Sequence, residues 1–245
     1  FNQNEKYIFF GDSSNFTKKV SDKIKKLKSK RIQTIIYKNY QDIDVKTKKV
    51  TNFTLRKQKH LREIKRLEKI QKEKDTEKTD DAALHAKYIE NLKKHDTLQK
   101  VRFKKVFLSS FNEELIASLS YLDFYDANYK DVQFITLNLW FEKKYLNEPS
   151  LENIIFPSIN YQAYQELNRK YQKSFNRDIY HLEVLTFDMI PLIAATWFGT
   201  KEKKLKTSMF NGSYKGKAGN FSIKENKTNR NLLLYKINNK QFKKI

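Results

Sequence analysis

The residues of this 245-residue chain that could do chemistry are scattered along it. The absence of cysteine removes disulfides, thiolate metal sites and a cysteine nucleophile. The four histidines, His60, His85, His95 and His181, show no HExxH spacing, so no metal site follows from them. The first three lie in or beside charged helical stretches and are expected at the surface. Ser109-Ser110 and Ser158 lack the glycines of a nucleophile elbow. Gly212, Gly216 and Gly219 lack the strand-to-helix setting of a phosphate loop and read as turn glycines. Asp188 stands apart, a carboxylate inside the apolar stretch LTFDMIPLIAA. Such an acid either bonds backbone and caps a neighbouring element or faces a ligand. No catalytic constellation, cofactor site or metal site assembles, and the expectation is a protein that is not an enzyme.

Composition narrows the partners. A formal charge of +22 raises nucleic acid, anionic membrane or an acidic protein as candidates. Only eight of the fifty basic residues are arginine, the side chain best suited to bidentate phosphate and guanine contacts, so nucleic acid is not favoured. Lysine, asparagine, isoleucine, phenylalanine and tyrosine are abundant together, as an AT-rich coding sequence would produce. A hydrophobic content of 39% supports a packed core. No apolar run is expected to reach the roughly 20 residues of a membrane span. The chain opens without Met almost directly on a strand-like run, which reads as though an N-terminal part, carrying any export signal or lipid anchor, precedes Phe1.

The elements that would position a site follow from periodicity. Tyr7 to Phe10 and Ile32 to Tyr37 read as strands, with Phe16, Val20, Ile24 and Leu27 on one helical face between them. KNYQDID then reads as a polar loop at the carboxyl edge of a parallel sheet. From about Thr54 to Leu98 helix formers and charge dominate. Leu61, Ile64, Leu67 and Ile70 make one stripe and Leu84, Tyr88 and Leu92 another, joined by the polar KEKDTEKTDD, with Asp80 or Asp81 as a cap. A solvated helical hairpin is expected there. Val106 to Phe111, a helix carrying Leu115, Ile116, Leu119 and Leu122, and a strand from Val132 to Leu137 complete the alternation. This argues for a doubly wound, mostly parallel α/β sheet. A short strand, Ile154 to Phe156, is expected to stop at Pro157. Two helical patterns follow, one bearing Tyr164, Leu167, Tyr171 and Phe175, the other running from Leu182 to Phe198 with Pro191 as a kink or break. NFSI and LLLYKI, separated by an Asn-rich turn, read as a closing hairpin.

In this order the segments YIFFGD, IQTIIYKNY, VFLSSFNEEL and VQFITLNLWF resemble the second lobe of a type I periplasmic binding protein, the fold of leucine/isoleucine/valine-binding proteins. NIIFPSI resembles the crossover back, LTFDMIPLIAA a helix of the first lobe, and GKAGNFSI with LLLYKINNKQF the closing strands. The resemblance implies a second-lobe domain over residues 1–152, with a charged insertion at 54–98, and a partial first lobe over 153–245. It also implies a ligand cleft bordered by Tyr40, Phe111, Asn138 and Trp140, with Asp188 a further ligand-facing candidate. Tyr40-Gln41 stands where the amino-acid-binding members have Tyr-Gly, Phe111 where they have a tyrosine, and Asn138 where they have an acid. A zwitterionic ligand would lose a hydroxyl partner and a charge at those positions.

The helix LREIKRLEKI and the LNLWF turn look closest to penicillin-binding protein activators. That likeness implies a periplasmic lipoprotein acting on a peptidoglycan synthase by contact through the Lys-rich helices. The alternative it implies is a solute-binding protein that serves an ABC permease and closes over an amino acid or another small polar solute.

Overall fold

The computed structural model describes residues 6–26, 32–77, 81–137, 139–201 and 204–245. The chain divides into two compact units that interleave in sequence: Phe1–Asn138 with Glu148–Ile154, and Leu139–Asn147 with Ile155–Ile245. The change of unit expected at 152/153 is thus spread over residues 138–155, with Leu139–Asn147 counted in the second unit.

The first unit alternates strand and helix. In chain order it contains β1 (Lys6–Asp12), α1 (Asn15–Lys26), β2 (Ile32–Tyr37), α2 (Tyr40–Val50), α3 (Phe53–Glu77), α4 (Ala82–Lys93), β3 (Phe103–Leu108), α5 (Asn112–Phe124) and β4 (Gln133–Thr136). Its strands lie in the order β4-β3-β1-β2, every pair parallel. Tyr7, Ile8, Phe9 and Phe10 of β1 are all buried, as expected of a central parallel strand covered on both faces. The result is the expected α/β architecture, with parallel strands joined through crossover helices.

Several local readings change. The expected loop KNYQDID is mostly α2, because Asn39 Oδ1 accepts from Asp42 N at 3.0 Å and starts the helix. On α1 the buried residues are Thr17 and Ser21, and Phe16 is 41% exposed, so its core-facing side is polar. Leu27 lies outside the described residues.

Helix α3 extends through most of the expected linker and packs against α4 through Ile64, Leu67, Ile89 and Leu92. Leu61, Leu84 and Tyr88 stay exposed, so only part of each predicted stripe is seam. Asp81 occupies the cap position of α4 without a side-chain bond, and Asp80 lies outside the described residues. His60, expected at the surface, is 2% exposed and neither ring nitrogen has a hydrogen-bond partner. The root of α3 is held by Arg56, whose guanidinium donates to Thr51 O, Thr97 Oγ1, Gln99 O, Tyr125 O and Asp126 Oδ2. That fork matches the geometry only arginine offers. Burial lowers the Arg56 pKa, and the charge of Asp126 opposes the shift.

The second unit contains β5 (Ile155–Ser158), α6 (Tyr161–Phe175), α7 (His181–Phe187), α8 (Met189–Gly199) and strands β6 (Gly212–Gly216), β7 (Gly219–Lys224), β8 (Lys227–Arg230), β9 (Leu233–Ile237) and β10 (Phe242–Lys244). Strand β5 continues through Pro157, which lies opposite Leu234 in an antiparallel pair with β9. A proline ends a ladder only where its missing N–H is called on. NFSI and LLLYKI do not pair with each other. The first belongs to β7 between β6 and β8, and the second to β9 between β5 and β10. Glu225-Asn226, between β7 and β8, and Asn239-Lys240, between β9 and β10, all have positive φ, as one favoured two-residue hairpin turn requires.

Tyr164 and Leu167 of α6 are buried. Phe175 at the end of α6 is exposed, as are Leu182, Phe187, Ile190, Ile193, Trp197 and Phe198 on α7 and α8. Together His181–Gly199 match a membrane span by length and composition, contrary to the sequence expectation. The helix breaks at Asp188, with Pro191 in the first turn of α8, leaving helices of 7 and 11 residues. Each is too short for a span of roughly 20 residues.

Candidate functional site

Chain order places the candidate site of the first unit. From β1 the chain runs to β2 on one side of the sheet, then crosses back over β1 to β3 on the other. The loops after β1 and β3 therefore part company at the carboxyl edge, which is where open α/β sheets form a crevice for ligands. The two loops are Ser13-Ser14, leading into α1, and Ser109-Ser110-Phe111, leading into α5.

A dense hydroxyl network underlies this edge. Asp12 Oδ1 accepts from Ser14 Oγ at 2.8 Å and from Thr17 Oγ1. Thr17 Oγ1 lies 2.8 Å from Ser109 Oγ; with the Thr17 proton committed to the carboxylate, Ser109 is the donor. This close approach explains Gly11. A Cβ there would stand 1.9 Å from Ser109 Oγ and 2.8 Å from Thr17 Cγ2. Alongside, the Tyr37 hydroxyl lies 2.8 Å from Ser110 Oγ and 3.0 Å from Glu114 Oε2. It has one proton, and the carboxylate, which can only accept, takes it. Burial raises the Tyr37 pKa far above the usual phenol range and Glu114 adds to the shift, so Tyr37 stays a neutral donor.

Thr17, Ser109 and Ser110 are buried, so they form the foundation of the edge. Its exposed part is aromatic. Phe16 and Phe111 are 41% and 44% exposed with ring centroids 5.4 Å apart, bridging the β1 and β3 loops. Tyr40, also exposed, begins α2 three residues beyond Tyr37 on the same sheet edge. The edge thus combines flat apolar surface with hydroxyls and the carboxylates of Asp12 and Glu114, which suits a small polar solute that is neutral or cationic.

Of the sequence candidates, Phe111 and Tyr40 lie on this edge, and Asn138 lies outside the described residues. Trp140 belongs to the second unit, in an aromatic cluster with Phe141, Tyr164 and His181, its indole N–H buried without an acceptor. Sequence reasoning missed Phe16, Thr17 and Tyr37. The cue was the pair of small-residue loops, GDSS after β1 and SSF after β3, each between a strand and a helix.

Asp188 acts as an internal lock of the second unit. Its carboxylate accepts from Lys217 N at 2.7 Å and Ala218 N at 3.1 Å, the loop joining β6 to β7, and from Arg230 Nη1 at 2.8 Å. Arg230 also donates to Gly219 O and Leu185 O, and its guanidinium covers the Phe221 ring at 4.9 Å. A Cβ on Gly216 would sit 2.2 Å from Asp188 Oδ2, so only glycine lets the loop close over the acid. Both acid and arginine are nearly buried, and every partner named is internal. Among the described residues no group of three or more histidine, aspartate or glutamate side chains is arranged to hold a metal ion.

No protein-family profile and no curated protein matches the sequence. In structure, the chain is similar to an extracellular ligand binding receptor from Desulfohalobium retbaense DSM5692, with a TM-score of 0.59 and 11% identity. The match covers 98% of this chain and 36% of that one, so the chain spans about a third of that protein's length. The likeness shows the fold, a mixed α/β architecture with a mostly parallel sheet and C-terminal antiparallel strands, similar to that of type I periplasmic binding proteins.

Proposed function

We propose that the chain is the ligand-binding portion of an exported, non-enzymatic receptor that takes a small polar solute and hands it to an ABC permease. The observation that carries this reading is the β1/β3 edge, where Phe16 and Phe111 stand over a buried hydroxyl network at the switch of chain direction. The extracellular ligand-binding neighbour supports the same class and an extracytoplasmic, periplasmic location. With phenylalanine at position 111 the edge lacks one hydroxyl, which favours amides, polyols and cationic solutes over zwitterionic amino acids. A thermal-shift screen of amino acids, amides, polyols and polyamines tests the reading. A solute present at a hundred times its Kd stabilises by about 2.7 kcal/mol, and Phe111→Ala should reduce that shift. A hit whose shift survives both Phe111→Ala and Phe16→Ala would refute the site.

A second reading rests on the α3–α4 hairpin, where basic residues outnumber acidic ones and Leu61, Leu84 and Tyr88 are exposed. Such a surface fits contact with an envelope protein, as in penicillin-binding protein activators, which bind a peptidoglycan synthase and are held at the membrane by an N-terminal lipid. Replacing Lys65, Lys69 and Lys72 by Glu should abolish capture of that synthase with circular dichroism unchanged. Retained capture would sink this assignment.

A further inference from the structure

A groove of about 420 Å³ runs along α6 within the second unit, in the size range of small-ligand sites and separate from the β1/β3 edge. Its floor is aromatic. Phe141 and Tyr164 are buried, and the half-buried Tyr161 lies parallel to Tyr164, their rings 16° apart in plane and 6.3 Å between centroids. Its wall is a ladder of amides, Gln165, Asn168 and Gln172, which helical spacing sets on one face of α6.

Two of these amides are fixed before any ligand arrives. Asn168 Nδ2 and Gln172 Nε2 both donate to Asp178 Oδ1, at 2.7 and 2.6 Å. Asn168 Oδ1 accepts from Ile179 N at 2.8 Å, which settles the orientation of that amide. Two long polar side chains on an exposed helix face are thus held in one conformation, which lowers the ordering cost of binding. Asp178 Oδ2 has no bond to the described residues. Lys143 and Arg169 complete the rim, giving the charged groups of the groove one net positive charge.

We propose that this groove binds a saccharide. A sugar ring has a flat C–H face that packs on an aromatic ring and a girdle of hydroxyls that both donate and accept. Amides answer both roles and a carboxylate accepts two hydroxyls. A nucleotide fits less well, because its phosphate would approach Asp178.

The test is titration of the ¹⁵N-labelled 245-residue chain with tetramers of glucose, N-acetylglucosamine and galacturonic acid, and separately with AMP and oligothymidine. The expected result is movement of the side-chain amide signals of Gln165, Asn168 and Gln172 with at least one tetramer. That binding should weaken about ten-fold in Tyr161→Ala and about five-fold in Gln165→Ala. Gln165 is exposed, so the second variant decides the matter even where the first fails to fold. No movement with any tetramer up to about 20 mM, tighter binding of AMP or oligothymidine, or saccharide binding unchanged in Gln165→Ala would each overturn the proposal.

Discussion

Replacing Asp188 by alanine should cost the second unit about 3–5 kcal/mol. The magnitude follows from what is left behind. Lys217 N and Ala218 N lose their acceptor, and Arg230, whose side chain is 9% exposed, is left buried without a counter-charge. Asp188→Asn keeps an acceptor and the shape but not the charge, and should cost about 1–3 kcal/mol. Removing both charges, as Asp188→Leu with Arg230→Met, should recover much of the loss, because an unpaired buried charge is the expensive state. Urea unfolding followed by tryptophan emission is the assay, since Trp140 and Trp197 both lie in the second unit. In a thermal melt of this unit the alanine variant should fall by roughly 12–40 °C, at about 4–8 °C per kcal/mol for its size. A loss below about 1 kcal/mol for Asp188→Ala, or a double variant no better than the single one, would refute the lock. An acid serving a ligand would instead leave stability nearly intact and remove a ligand-dependent shift.

Gly11→Ala should destabilise the first unit by about 1–3 kcal/mol in a far-UV melt, and Ser109→Gly in the same chain should restore part of it, because the new methyl meets Ser109 Oγ first. Arg56→Ala should cost about 3–5 kcal/mol and Arg56→Lys should recover only part, since an ammonium cannot reach the carbonyls of Thr51, Gln99 and Tyr125 together. Bonds from Arg177, then Tyr171 and the Tyr180 N–H, pull the Glu183 carboxyl from 4.5 down to about 2. Its folded pKa is depressed, so its contribution is fully present above pH 4.5 and is lost as pH falls through that interval toward 2. An NMR titration should show the low value, and Arg177→Ala should move it back toward the ordinary carboxyl range.

The parallel sheet was legible because its strands are short, continuous apolar runs between helical patterns, and Tyr7 to Phe10 could hardly lie anywhere but the centre. The candidate edge was half legible. Phe111 was found from its place after β3, but Phe16 fell on an apolar stripe that periodicity assigns to the core. Thr17 and Ser21 take the buried side of α1, where Thr17 pairs with Asp12 and Ser109 and Ser21 faces Thr34, and no local pattern announces a contact 92 residues away. Helix α2 escaped notice because it buries only Ile43, Thr47 and Val50 beneath a polar sequence. The closing strands were seen and mispaired. Which strand accepts LLLYKI depends on β5, far upstream, whereas NFSI finds its partners in the turns beside it. Asp188 was recognised as unusual, but its partners, at 217, 218 and 230, lie beyond the reach of spacing arguments.

The interleaving of the two units has a consequence for severing the chain. Cutting after residue 138 takes Leu151 and Ile154, both fully buried, from the first unit. A cut after 154 takes Phe141 from the second, and with it ring contacts to Phe156, Tyr161, Tyr164, Tyr235 and Phe242. A cut after 147 harms both. No single scission yields two whole pieces, so separate expression of either unit requires excising the other's segment and joining residue 138 to 148 for the first or 147 to 155 for the second.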